Sequence, residues 1–298
     1  VGHRGDYSDV HWTPLFMHWN GAAWTAVPGP TRSGRFYAVA ALSRSNAWAV
    51  GEGPVIAHWD GARWRVVASP RVTFDSREPA RLLGVAALSP NDVWAAGLNW
   101  HDPTVELIEH WNGQRWRVIP GVPAGRHPLH AVAALSSSNI WAAGDTAMEH
   151  WNGSRWALAP APAGAASLAA VSAGDIWAVG GSTIEHWDSS RWRLVPGPAS
   201  GERFTSLTGI TALSPQDVWA VGFAGHTVPH DGYAEHPFVE HWNGTAWRVI
   251  STPPTGRPDS QLLAVTSLPT GQVWAVGFAG THRAGSVHPL IEHYRSCG

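Results

Sequence analysis

The sequence predicts an all-β fold, and three observations carry that prediction. First, an apolar strand ending in His recurs at His18, His58, His110, His150, His186, His241 and His293, with a mean spacing of about 46 residues. That period suits one four-stranded antiparallel unit per copy. Second, six of the seven copies contain an Asn-Gly, Asp-Gly or Asp-Ser pair between two Trp-bearing runs, the composition of a tight hairpin. Third, no segment keeps a 3.6-residue apolar period for three turns, whereas short runs alternate with period two.

Residues 82–119 illustrate the unit. LLGVAAL (82–88) is small and apolar and suits a crowded innermost strand, A. SPND (89–92) supplies turn chemistry. VWAAG (93–97) is strand B, LIEHW (107–111) strand C and RWRVI (115–119) strand D, with Asn112-Gly113 turning C into D. The order recurs at 38–67, 131–158, 168–195, 209–250 and 264–294. Regular repetition of this kind reads as a single β-propeller spanning 1–298, because stacked units bury faces that none can bury alone. Residues 1–21 align with 276–294, so the first copy begins within strand B and the last ends after strand C. Seven blade positions with incomplete terminal blades are expected. The alternative is six blades closed by the N-terminal strand.

Composition narrows the function. Hydrophobic content is 44% and net charge is -2, which argues against an electrostatic nucleic-acid binder. No apolar run is long enough to span a bilayer. Cys297 is the single cysteine, so neither an internal disulfide nor a cysteine zinc site is expected. The start at Val1 fits a processed secreted protein, and an extracellular location is expected on that basis.

The hairpins read WNGAAW (19–24), WDGARW (59–64), WNGQRW (111–116), WNGSRW (151–156), WDSSRW (187–192) and WNGTAW (242–247). With the VWAVG-like strands, this pattern resembles Asp-box (BNR-type) propellers and photosystem II assembly-factor propellers. It is also similar to tandem VWAVG/EHWNG repeat proteins of bacterial secretomes, which imply no defined activity. In the Asp-box one residue separates Asp from Gly, and here they are adjacent. The resemblance implies the propeller fold. Sialidase activity is not carried over: no local sialidase motif occurs, and Tyr is present at 7, 37, 233 and 294 alone.

A residue present in most copies builds the blade; one that breaks the pattern is a candidate for function. Eighteen of the 20 Trp occupy the three repeat positions and are expected to pack between blades. Trp12 and Trp100 do not, and either could stack on a sugar. Five repeat His follow Glu, at Glu109, Glu149, Glu185, Glu240 and Glu292. Adjacent strand residues face opposite sides, so these pairs are read as structural, with His bonding, for instance, a neighbouring blade's backbone.

Strand order places the A–B and C–D turns at one end of each blade and the B–C and D–A connections at the other. The ten His outside the repeat all fall at this second, top end. Arg35, Arg81, Arg126, Arg203 and Arg257 lie there too, suited to carboxylate or phosphate or to ion pairs with Asp75, Glu78, Glu202 and Asp259. Ligand-binding candidates are therefore Trp12, Trp100, His101, Tyr233 and those five arginines. His226, His230, His236 and Asp231 form a weak divalent-metal candidate in the connection 222–238; otherwise no cofactor is expected. Three functions compete: a non-catalytic binding propeller for a glycan or protein, a secreted hydrolase or lyase with a His/Arg/acid site, and a subunit that assembles through incomplete terminal blades.

Overall fold

The computed structural model describes residues 1–4, 12–53, 55–70, 79–99, 106–122, 128–160, 164–228, 232–281 and 286–295. Every regular element among them is a strand, and the architecture is that of a β-propeller. The chain divides into two compact units, Val1–Ala159 and Pro160–Gly298.

The first unit holds four blades. Blade 1 has three strands, β1 (Gly2–Arg4), β2 (Thr13–Trp19) and β3 (Trp24–Val27), equivalent to B, C and D. Blade 2 is β4 (Phe36–Ser43), β5 (Asn46–Gly51), β6 (Ile56–Trp59) and β7 (Trp64–Val67). Blade 3 is β8 (Arg81–Ser89), β9 (Asp92–Leu98), β10 (Glu106–Trp111) and β11 (Trp116–Val118). Blade 4 is β12 (Leu129–Ser136), β13 (Asn139–Gly144), β14 (Met148–Trp151) and β15 (Trp156–Ala159).

The second unit holds three. Blade 5 is β16 (Ser167–Ser172), β17 (Asp175–Gly180), β18 (Thr183–Trp187) and β19 (Trp192–Val195). Blade 6 is β20 (Phe204–Ser214), β21 (Asp217–Val228), β22 (Gly232–Trp242) and β23 (Trp247–Ile250). Blade 7 is β24 (Asp259–Ser267), β25 (Gln272–Thr281) and β26 (Ser286–Arg295), joined to blade 6 by one parallel bridge, Glu235 to Asp259. These are the seven positions expected, with β1–β3 forming a sheet of their own instead of completing a sixth blade.

Each VWAVG motif ends in Gly for a steric reason. A Cβ on Gly51, Gly97, Gly144, Gly180, Gly222 or Gly277 would stand 1.7–2.0 Å from a backbone carbonyl oxygen at the start of the adjoining A strand. In five blades the A strand carries a register shift nearby, as between Leu82 and Gly84 in blade 3. The bulge brings the carbonyl in, and the absent side chain admits it. The inner strands are small for a related reason: a Cβ on Gly84 would lie 3.0 Å from Val132 N on the next blade's A strand.

The C–D hairpins follow their sequence. Asn112 Oδ1 accepts the backbone N–H of Gln114 and Arg115, and Gly113 has φ +89°. The same Asx geometry recurs at Asn20, Asp60, Asn152, Asp188 and Asn243, which accounts for the Asn-Gly sequons at 152 and 243 as turns. At the fifth blade Ser189 stands where the others have Gly, and it alone among the described non-glycine residues has positive φ, 74°.

The Trp residues interlock blades, as expected. Trp48 on β5 lies 5.1 Å from Trp111 and 5.4 Å from Trp116 of blade 3. Trp94 meets Trp151 and Trp156 of blade 4 in the same way, and Trp177 meets Trp242 and Trp247 of blade 6. Blade 7 uses Tyr294 against Trp219 at 5.5 Å.

Replacing Gly97 by Ala is expected to cost about 2–3 kcal/mol in urea unfolding, since backbone must shift to admit the methyl. Conversely, Ser189→Gly removes the strain of a non-glycine residue in the left-handed region; a gain of about 0.5–1 kcal/mol in the same measurement is expected.

Candidate functional site

The repeat His are structural, but by a different bond from the one expected. Nε2–H of His110 donates to Asp92 Oδ1 at 2.9 Å, the first residue of its own blade's B strand, and His186 and His241 reach Asp175 and Asp217 likewise. His58 and His150 meet Asn46 and Asn139 instead, and burial pushes both imidazoles below their ordinary pKa. Each ring also packs on the B-strand Trp, His110 on Trp94 at 4.2 Å. The partner is a side chain within the blade because β9 and β10 pair His110 directly opposite Trp94, two residues from Asp92.

The Glu before each His points the other way and is buried in all five copies. Burial raises the carboxyls of Glu109, Glu185 and Glu240 to about 7 and moves Glu292 upward as well. Ser69 Oγ donates to Glu109 at 3.0 Å, and Tyr294 donates to Glu292.

In the first unit, three sequence candidates come together at the B–C and D–A end. Glu52 follows β5, where its N–H donates to Arg35 O at 3.0 Å and its backbone bridges Arg81. The inner strand β8 begins at Arg81 and β4 begins directly after Arg35, so Glu52 is held between them. Its carboxylate lies 3.3 Å from Arg81 Nε and 3.8 Å from Arg35 Nε. Arg35 also covers the face of Trp12, with its guanidinium carbon 4.2 Å from the ring centroid, and bonds the Tyr37 hydroxyl, whose pKa is raised chiefly by burial. Two guanidinium groups against one carboxylate leave an excess positive charge beside two aromatic rings, all partly exposed. The acid sequence reasoning missed is Glu52. Its only signal was an acid directly after Val50-Gly51, at a position that varies among the copies. Asp75 and Glu78, the acids expected nearby, lie outside the described residues.

In the second unit, the connection 222–238, expected as a long loop, is a hairpin in which β21 and β22 stay paired from Val218–Trp242 out to Val228–Gly232. Alternating side chains let the ladder continue past the blade. Glu202, in the D–A connection, lies 3.1 Å from His226 Nδ1 and 3.9 Å from His236 Nε2. Arg203 Nη1 donates to Thr227 Oγ1 at 3.3 Å. Gln261 donates to Glu235, docking the hairpin on β24. The Arg257 carbonyl accepts from Thr255 and Ser260 within its turn, and its guanidinium makes no ion pair with a described residue. Asp259 is buried.

Trp100, His101, Arg126, His230 and Asp231 lie outside the described residues, as does the side chain of Tyr233. Among the described residues no group of three His, Cys, Asp or Glu is placed to hold a metal; His226 and His236 share Glu202 and stop there.

No family model matches the chain, and no curated protein matches it. Among solved structures it is similar to YCF48 bound to D1 peptide, at 17% identity and TM-score 0.59 over 91% of this chain and 85% of that one. It is similar to an extracellular domain from B. thetaiotaomicron at 12% identity and TM-score 0.60, covering 94% of this chain and 36% of that one. An ancestral GH74 enzyme matches at 14% identity and TM-score 0.51, over 87% of this chain and 38% of that one. At these identities the likeness shows the fold.

The buried carboxyls set a pH dependence. The unfolded chain releases these protons near 4.5, while the folded one keeps them to about 7. Between those values the native state binds more protons, so stability falls as pH rises and levels off above about 7. Urea midpoints measured from pH 5 to 8 are expected to fall, and the triple variant Glu109→Gln, Glu185→Gln, Glu240→Gln to flatten that slope by about 1–2 kcal/mol per group.

Proposed function

We propose that this chain is a non-catalytic binding propeller, working outside the cell, that recognises an acidic group on a protein or glycan through the B–C and D–A end of its blades. The observation that carries this reading is the Trp12–Arg35–Glu52–Arg81 cluster, with Tyr37 beside it. Glu52 orders the two arginines without cancelling their charge. An arginine fork suits a carboxylate, sulfate or phosphate, and the Trp12 and Tyr37 rings supply stacking area. Rigid strand starts hold the arginines, as a preorganised site requires.

The enzyme reading has less support. The Glu-His pairs that resemble dyads recur in blade after blade; in four of the five the His is already committed to an Asx side chain, and in all five it packs on a Trp face. Two structural neighbours support a recognition role: one is bound to a peptide and one is an extracellular domain.

The test is binding of the whole chain to arrays of acidic and neutral glycans and of acidic peptides. An acidic hit is expected to weaken at least tenfold, about 1.4 kcal/mol, in Arg81→Ala and in Trp12→Ala, with strand content unchanged by circular dichroism. Equal binding by both variants would remove the cluster from the site.

A further inference from the structure

Of the five buried C-strand carboxyls, Glu240 faces open space. Its counterpart Glu109 receives a hydroxyl from Ser69, which stands five residues after the D-strand Trp64. Five residues after Trp192 of blade 5 the chain has Gly197. The donor that serves Glu109 is thus absent opposite Glu240. Glu240 is 4% exposed, and its Oε2 has no hydrogen-bond partner among the described residues.

What replaces the donor is a cavity of about 490 Å³ between blades 5 and 6, at the B–C and D–A end. Ile184 and Leu207 form its apolar wall. Ser182, Ser200, Thr205 and Glu202 join Glu240 in lining the rest, with Gly197, Pro198, Ala199 and Gly201. The lining includes no Arg or His, and acceptor oxygens predominate among its polar side chains.

We propose that this cavity binds an organic ammonium group, such as a lysine side chain or a small alkylamine. A buried carboxyl without a partner is costly in its charged form, and burial accordingly holds Glu240 up to about 7. An ammonium group restores the ion pair and supplies the missing donors, while its alkyl stem covers Ile184 and Leu207. The volume falls within the range of small-molecule sites, roughly 300–1,000 Å³, and far exceeds a bare ion. A calcium site takes about 6–8 oxygens at close range, and no cluster of three acidic or His ligands is assembled here among the described residues. The site is separate from the Trp12 cluster, so either can fail without the other.

The full chain is titrated with n-butylamine at pH 7.5 by isothermal calorimetry, with butanol and calcium chloride as controls. Saturable binding of the amine is expected, with none of butanol. Glu240→Gln, which removes the charge, is expected to weaken it at least tenfold. Gly197→Ser restores the hydroxyl seen opposite Glu109; a Cβ there would sit 3.4 Å from Glu240 Oε2, in ordinary contact, so the variant folds and is also expected to weaken binding. No saturable binding of the amine overturns the proposal. So does binding unchanged in both variants, or calcium displacing the amine.

Discussion

Within each unit, an indole reaches across the gap from one blade to the next. The B-strand Trp lies against the C- and D-strand Trp of the following blade, at 5.1–5.8 Å wherever two blades of one unit carry all three. Much else follows from keeping that ring in place. In blade 3, Trp94 donates its N–H to Asp92, the same carboxylate accepts a hydrogen bond from His110 Nε2–H, and His110 stacks on the indole. Trp111, on the receiving side of blade 2's contact, donates to Pro90 O in the A–B turn. The motif residues thus form one connected arrangement for positioning apolar plates.

That arrangement constrains backbone as tightly as side chains. The A strand bulges toward the B strand, and glycine at the end of VWAVG is what the bulge leaves room for. The other face of strand C carries a buried Glu whose carboxyl burial pushes above the usual carboxylate range. Solvation differs between copies because the residue beneath changes from Ser69 to Gly197. A scaffold position can therefore acquire a ligand-facing role through a change elsewhere in the repeat.

Strand order, hairpin type and the three Trp positions were legible because each is a local matter: period two, Asn-Gly turns and a fixed interval between copies. Reading pattern-breaking residues as functional found Trp12, Arg35 and Arg81, which do converge. It passed over Glu52, which lies just past the strand end at a position that varies from copy to copy. It also read the segment around His226 as a loop, since Gly, Pro and His obscured an alternation that the paired backbone sustains.

By itself, the sequence determined the unit: which residues form strands, where they turn, and which face of each strand is apolar. Those properties depend on neighbours a few positions away. Tertiary structure decided which distant residues meet. Glu52 joins Arg35 and Arg81 because the inner strands of successive blades start side by side, a separation of 46 positions in sequence between the two arginines. Glu240 faces a cavity because a glycine in the preceding blade's D–A connection lies over it. Contacts of that range are set by how blades stack, and no period in the sequence encodes them.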